Sequence, residues 1–278
     1  MLCTEFDGGV RIDGVDSFDL AQTLDCGQSF RWVEQSDGSF SGVAYGKYVT
    51  VKLEDDVLYI YNANKLDFEN IWYNYFDLAL DYTKIREEIR KIHPILAQAS
   101  NYAPGIRILR QEPFETLCTF IISQNNNIKR IKGIVQRLCE SFGNEIEQNV
   151  YDFPTAEHLA KLTIDDLAPL RAGFRNRYLI DAAQKVASGE VDLEKCYTAD
   201  YDEARRELMK ITGVGTKVAD CTLLFGMHRL DAFPIDVWMK RAMEKLFPNM
   251  CAEDFGEYAG IAQQYIFHYS RMNPEIFE

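Results

Sequence analysis

The stretch ITGVGTKVADCTLLFGMHRLDAFPIDVWMKR, from Ile211 to Arg241, decides how this chain reads. Gly213, Gly215, Lys217 and Asp236 are the residues in it that need explaining. LMKI before it and TKVADCTLLFGM within it carry helical spacing, so TGVG, residues 212–215, reads as a short turn between two helices. Gly213 and Gly215 allow positive φ and the close approach of another group. The second helix begins near Thr216, and its free N–H groups form a seat for a phosphate. Lys217 lies in the first turn of that helix. A neutral lysine amine is a nucleophile able to form a Schiff base. Cys221 sits four residues on, on the same helical face, where it can flank the amine. Asp236 follows Pro234-Ile235 and opens the next helix, an N-cap position. A carboxylate there can also face a developing positive charge. Taken singly, a glycine-capped hairpin, a solvated lysine and a capping aspartate explain the same residues.

Outward from this stretch, the chain divides into two kinds of pattern. Within residues 1–66, FRWVEQ, SFSGVAYG, YVTVKLE and VLYIYN are short, aromatic and β-branched, with turn signals SDG and EDD between them. They predict a small antiparallel sheet. From about Phe68 the period becomes helical, in IWYNYFDLAL, TKIREEIRKIHPILAQAS and PFETLCTFIISQNNNIKRIKGIVQRLCESFG. Pro113 suits a first helical turn and Gly143 a helix C-terminus. AEHLAKL, IDDLAPL, RNRYLIDAAQKVAS, DYDEARRELMKI, DVWMKRAMEKLF and FGEYAGIAQQYIFHYSRM continue as helices. The fold class expected is α+β, a small N-terminal antiparallel sheet followed by mostly helical domains. The division falls at 1–103, the sheet with the first helices, and 104–278, the region holding the hairpin.

Composition narrows the function classes. The chain has 278 residues, 47% of them hydrophobic, enough for a sizeable core. It has no run of about 18 apolar residues, so no membrane span is expected. MLCTEFDGGV is acidic and lacks the basic and apolar regions of a signal peptide, which points to an intracellular protein. The seven cysteines form no CxxC pair, so no metal site, iron–sulfur cluster, cofactor or disulfide framework is expected. They read as small buried hydrophobes. The net charge of −13 is concentrated early, with 14 acids against 5 bases in residues 1–80. Residues 104–142 hold 6 bases and 3 acids, and residues 169–186 hold 4 bases and 1 acid. A nucleic-acid footprint depends on such local potential, so the acidic total leaves DNA binding open.

GVGTKVADC followed by FPIDVWM resembles the helix-hairpin-helix base-excision DNA glycosylases, and among them the 8-oxoguanine DNA glycosylase/AP lyases. CGQSFRW (Cys26–Trp32), YFDL (Tyr75–Leu78), GIRILRQEPFE (Gly105–Glu115), SQNNNIKRI (Ser123–Ile131), AGFRNRY (Ala172–Tyr178) and AGIAQQYIF (Ala259–Phe267) extend the similarity over nearly the whole chain. The resemblance implies an enzyme that flips a damaged base out of duplex DNA, excises it, and cleaves the strand through a lysine Schiff base. It makes Lys217 the nucleophile at the sugar C1′. Asp236 would stabilise the cationic sugar and orient Lys217. It assigns the N7–H of 8-oxoguanine to the Gly27 carbonyl, the base edge to Gln263 and stacking to Phe267. Gln263 and Phe267 stand four residues apart and share a helical face. Cys221 flanks the base site. Asn125 fills the space left by the extruded nucleotide, and Arg130 and Arg175 contact the orphaned cytosine. Phe174 is the wedge, where the eukaryote-type enzymes have tyrosine. Trp238 stands where they have histidine. Gly213 and Gly215 bind phosphate. The partner implied is double-stranded DNA with 8-oxoguanine opposite cytosine, met by a monomer.

Three other readings compete. The same fold can act on ring-opened or alkylated purines, though Gly27, Gln263 and Phe267 favour oxidised guanine. A non-enzymatic helix-hairpin-helix module needs neither Lys217 nor Asp236. A small-molecule Schiff-base enzyme would be expected on alternating strands and helices, a pattern this chain lacks.

Overall fold

The computed structural model describes residues 1–277. Strands β1 (Leu2–Phe6), β2 (Gly9–Asp13), β3 (Val33–Glu34), β4 (Phe40–Ala44), β5 (Lys47–Glu54) and β6 (Val57–Tyr61) form one antiparallel sheet in the order β1-β2-β6-β5-β4-β3. Alternation sets one face of it. Val10, Ile12, Val49, Val51, Leu58 and Ile60 are fully buried and join Trp32, Trp72 and Phe76 in one core. The strand expected at FRWVEQ shrinks to Val33–Glu34. Its aromatic residues are used elsewhere. The Trp32 indole turns into the core and donates to the Tyr75 hydroxyl at 2.7 Å, while Phe30 joins the helical core.

Helices α1 (Leu20–Leu24), α2 (Lys65–Asp67), α3 (Tyr73–Tyr75), α4 (Tyr82–Ile92) and α5 (Pro94–Tyr102) follow the sheet or interrupt it. Then come α6 (Pro113–Ser123), α7 (Ile128–Phe142), α8 (Ala156–Leu159), α9 (Arg175–Ala187), α10 (Tyr201–Leu208), α11 (Thr216–Gly226), α12 (Val237–Leu246) and α13 (Ala259–Met272). The α+β order agrees with the sequence reading. Pro113 occupies the first turn of α6, as expected. Gly143 ends α7 without positive φ, at φ −79°, and is glycine because a Cβ would run into the Asp152 carbonyl. A small hairpin, β7 (Glu145–Glu147) and β8 (Val150–Tyr151), was not legible in so short a stretch. The long segment FGEYAGIAQQYIFHYSRM is broken at Gly256, φ +72°, so α13 starts only at Ala259.

Asp77, from the YFDL segment, ties the sheet side to the helical side. Its carboxylate accepts from Arg110 at 2.8 and 3.0 Å and from the Tyr82 hydroxyl at 2.8 Å, and it meets His228 Nε2 at 2.9 Å. Burial pushes this carboxyl up. The bond to His228 and the charges of His228 and Arg110 more than reverse that, leaving it below its ordinary value.

Candidate active site

The site is built where α6, α11, α12 and α13 converge on the turn after α1. The helical segment from Pro113 to Gly143 is two helices, and the three asparagines are the reason. Asn125 takes a left-handed conformation at φ +48°, which asparagine tolerates better than most residues. Asn126 donates to the Ile122 carbonyl at 3.1 Å, and the Asn127 side chain caps α7 by accepting from Arg130 N at 3.0 Å. α6 therefore ends at Ser123, whose hydroxyl accepts from Lys217 Nζ at 3.0 Å and donates to the Phe120 carbonyl at 2.8 Å. Nζ also lies 5.0 Å above the centre of the Phe120 ring. Lys217 makes no ion pair with a described residue; a hydroxyl and an aromatic face hold its amine, with Cys221 beside it.

The hairpin separates its two glycines. Gly213 uses φ +82°, and a Cβ there would overlap the Tyr178 ring, with Cε2 at 2.5 Å. Gly215 does not need positive φ; it is the N-cap of α11 at φ −101°, with nothing within 4 Å of a Cβ. Cys221 lies one turn beyond Lys217. Burial raises its thiol to about 12, against the lowering effect of the lysine charge, so it stays protonated. Asp236 caps α12, accepting from Met239 N at 2.8 Å.

Two cavities meet at this lysine. An inner one of about 400 Å³ is walled by Gly27, Phe120, Lys217, Asp236, Gln263 and Phe267. An outer one of about 570 Å³ is walled by Asn125, Lys217, Asp236, Val237, Trp238 and Lys240. Lys217 and Asp236 line both. Gln263, 4% exposed, donates to the Pro234 carbonyl at 3.1 Å. That bond fixes its amide orientation and leaves Oε1 as a buried acceptor without a partner among the described residues. Gly27 takes φ +94°, and a Cβ there would touch the Phe267 ring at 3.5 Å. Its turn is braced on both sides. Gln28 Nε2 donates to the Thr23 and Arg107 carbonyls at 2.9 and 2.8 Å, while its Oε1 accepts from Leu109 N at 3.0 Å. Gln264 Nε2 reaches the Cys26 carbonyl at 3.4 Å.

The remaining residues lie on the rim. Phe174 is 48% exposed and stands over Arg175, 4.5 Å from ring centre to guanidinium carbon. Arg175 itself is only 3% exposed. It donates to the carbonyls of Gln124, Asn125 and Ala172, the last two at 3.0 and 2.9 Å, so it braces the turn that carries Asn125. Arg130 reaches the Arg171 carbonyl at 3.4 Å and is otherwise solvated. Ser123, Phe120, Gln264 and Arg271 also face the inner cavity and were not singled out from sequence, where they look like ordinary helix residues. No cluster of three metal-ligating side chains exists among the described residues, and none of their helices is long and apolar enough to cross a membrane. All seven cysteines are free; Cys3 is half-buried, Cys251 exposed and the other five buried.

Residues 12–117 match the family described as 8-oxoguanine DNA glycosylase, N-terminal domain, and residues 118–252 match the HhH-GPD superfamily of base excision DNA repair proteins. The N-glycosylase/DNA lyase of Saccharomyces cerevisiae is 34% identical over 254 residues, covering 81% of this chain and 67% of the relative. The chain belongs to the 8-oxoguanine DNA glycosylase family. The Clostridium acetobutylicum 8-oxoguanine glycosylase/lyase, solved with duplex DNA containing cytosine opposite 8-oxoguanine, superposes at TM-score 0.93 with 39% identity and 99% coverage of both chains. A structure of MBOgg1 with a low-affinity DNA ligand reaches TM-score 0.94 at 45% identity, covering 98% of this chain and 99% of that one.

Proposed function

We propose that this chain flips 8-oxoguanine out of duplex DNA, excises it, and cleaves the strand through a Schiff base on Lys217. The observation that carries this reading is that Lys217 and Asp236 line both cavities, at the junction between a base-sized pocket and a strand groove. A sugar held at that junction presents C1′ to Nζ. The amine attacks C1′ and the base leaves with the bonding electron pair. Opening of the ring gives a protonated imine, and loss of a C2′ proton then expels the 3′ phosphate. Asp236 faces the positive charge that develops on the sugar, and its capping bond keeps the carboxylate in place beforehand.

Recognition divides by chemistry. Gln263 Oε1 is a buried acceptor, matched to the N1–H and N2–H donors of a guanine edge. Gly27 offers a carbonyl to the N7–H that distinguishes the lesion. Phe267 stacks on the base. Ring-opened guanine presents the same edge and is a second substrate. Asn125 fills the vacated space, Phe174 wedges, and Arg130 and Arg175 read the orphaned cytosine. Four of the five Arg175 N–H groups already donate to carbonyls, so contacting the base through more than one donor requires it to exchange a carbonyl partner. The N–H groups at Gly213 and Gly215 hold a phosphate. The enzyme works as a monomer inside the cell, with residues 1–103 and 104–278 as its two units. The test is release of free 8-oxoguanine from duplexes with each of the four bases opposite. Release fastest opposite cytosine supports the reading; tight duplex binding without release leaves a DNA-binding module.

A further inference from the structure

Arg271 stands in the last turn of α13, one helical turn beyond Phe267, and lines the inner cavity. Its surroundings are unusual for an arginine. Nη2 reaches the Asp25 carbonyl at 3.5 Å, a weak bond, and Nη1 is closed to water with no partner among the described residues. The guanidinium carbon lies 5.7 Å from the Phe267 ring centre. Nη1 is the atom a Cβ on Gly27 would meet at 3.5 Å. The nearby carboxylate of Asp25 is taken by Lys132 at 2.7 Å. A cationic donor is therefore held unsatisfied beside the base site, against the glycine and the aromatic ring that flank the base. An unmet charged donor is costly unless something arrives to accept from it.

We propose that Arg271 is a specificity-determining residue of the lesion pocket: Nη1 donates to a carbonyl oxygen flanking N7 of the extruded base, and its charge excludes cationic bases. The reading rests on the proposed excision of 8-oxoguanine and adds a selection to it. 8-Oxoguanine carries carbonyl oxygens at C6 and C8, on either side of the N7–H assigned to Gly27. A base seated between Gly27 and Phe267 brings one of them to Nη1. The same guanidinium places a like charge beside an alkylated base such as 7-methylguanine, so one residue favours the right base and disfavours a wrong one. Nη1 is shielded in the free protein, so entry of the base shifts Phe267 or the Arg271 head and couples recognition to pocket opening.

The test compares wild type with Arg271→Met and Arg271→Lys in three single-turnover assays: release from 8-oxoguanine opposite cytosine, release from 7-methylguanine opposite cytosine, and borohydride trapping on a preformed abasic site. Thermal melting checks folding. Expected for Arg271→Met is a loss of about 10- to 100-fold on 8-oxoguanine, the usual worth of one buried charged hydrogen bond. Its abasic trapping stays within about twofold, and its 7-methylguanine release rises above wild type. Arg271→Lys keeps the charge and recovers part of the 8-oxoguanine rate. An 8-oxoguanine rate for Arg271→Met equal to wild type overturns the proposal. So does a parallel loss of abasic trapping, which marks a structural role, or 7-methylguanine release that does not rise. A wild type that traps on abasic sites but releases no 8-oxoguanine sinks the proposed substrate instead, and is told apart by that pattern.

Discussion

Alanine placed at Gly213 and at Gly215 separates two glycines that look equivalent in GVG. At Gly213 the backbone has φ +82°, where a Cβ is disfavoured by about 1–2 kcal/mol. The added methyl also overlaps the Tyr178 ring, with Cε2 at 2.5 Å and Cγ at 2.6 Å. Both atoms belong to a ring fixed edge-on against Phe174, centroids 5.7 Å apart, so it moves only by disturbing the rim. Overpacking of this kind adds about 1–3 kcal/mol. Gly213→Ala is therefore expected to destabilise by roughly 2–5 kcal/mol, a Tm drop of roughly 5–15 °C for a chain of this length. At Gly215 the backbone is extended and nothing lies within 4 Å of a Cβ. Gly215→Ala exchanges one N-cap residue for a poorer one, below about 1 kcal/mol. Calorimetry on the two variants measures the difference. A Tyr178→Ala background should then relieve the overlap and leave Gly213→Ala with only the backbone term. Equal losses at the two glycines, or an unchanged Gly213→Ala penalty without the ring, would refute the reasoning.

Asp236→Asn keeps the α12 cap, since asparagine caps as well as aspartate. It should melt within about 2 °C of wild type, by the same size scaling, yet lose on the order of 100-fold in base release, read by single-turnover kinetics. Gln263→Ala removes the buried acceptor and should slow 8-oxoguanine release by about tenfold or more while abasic-site cleavage is kept; equal loss of both activities would contradict a base-reading role. Glu115 gives a pH signature. Burial raises its carboxyl from 4.5 to about 7, against the charge of Arg31. The neutral form is favoured in the fold, so its contribution is complete below pH 4.5 and lost as pH rises through 7. Glu115→Gln should flatten the loss of stability between those limits, measured as denaturation midpoints at several pH values; a slope unchanged by the substitution would argue against it.

The elements that carry strong periodicity were legible from sequence, and those shaped by tertiary contact were not. The hairpin, its lysine and the capping Asp236 follow from glycine and cap chemistry, which acts locally. The β5–β6 pairing follows from alternation. The strand at FRWVEQ shortens to Val33–Glu34 because Trp32 and Phe30 are claimed by two different cores, which no local pattern records. The resemblance gives Asn125 the space left by the extruded nucleotide; the triplet's role as a helix break depends on Asn125 at φ +48° and Asn127 as a cap. Arg175 is expected from the resemblance to contact the orphaned cytosine, yet four of its five N–H groups donate to carbonyls brought together by the fold. Ser123 and Arg271 escaped notice because a serine ending an apolar helix and an arginine ending another are common surface features. Their meaning comes from Lys217 and Gly27, 94 residues and nearly the length of the chain away.

Borohydride trapping on a duplex with one 8-oxoguanine opposite cytosine, using wild type and Lys217→Gln, tests the central claim most directly. A covalent protein–DNA adduct with wild type and none with the variant is the predicted result, because among the described residues no other lysine lines the inner cavity. An adduct that persists in Lys217→Gln, or no adduct with wild type while free base is still released, would contradict it.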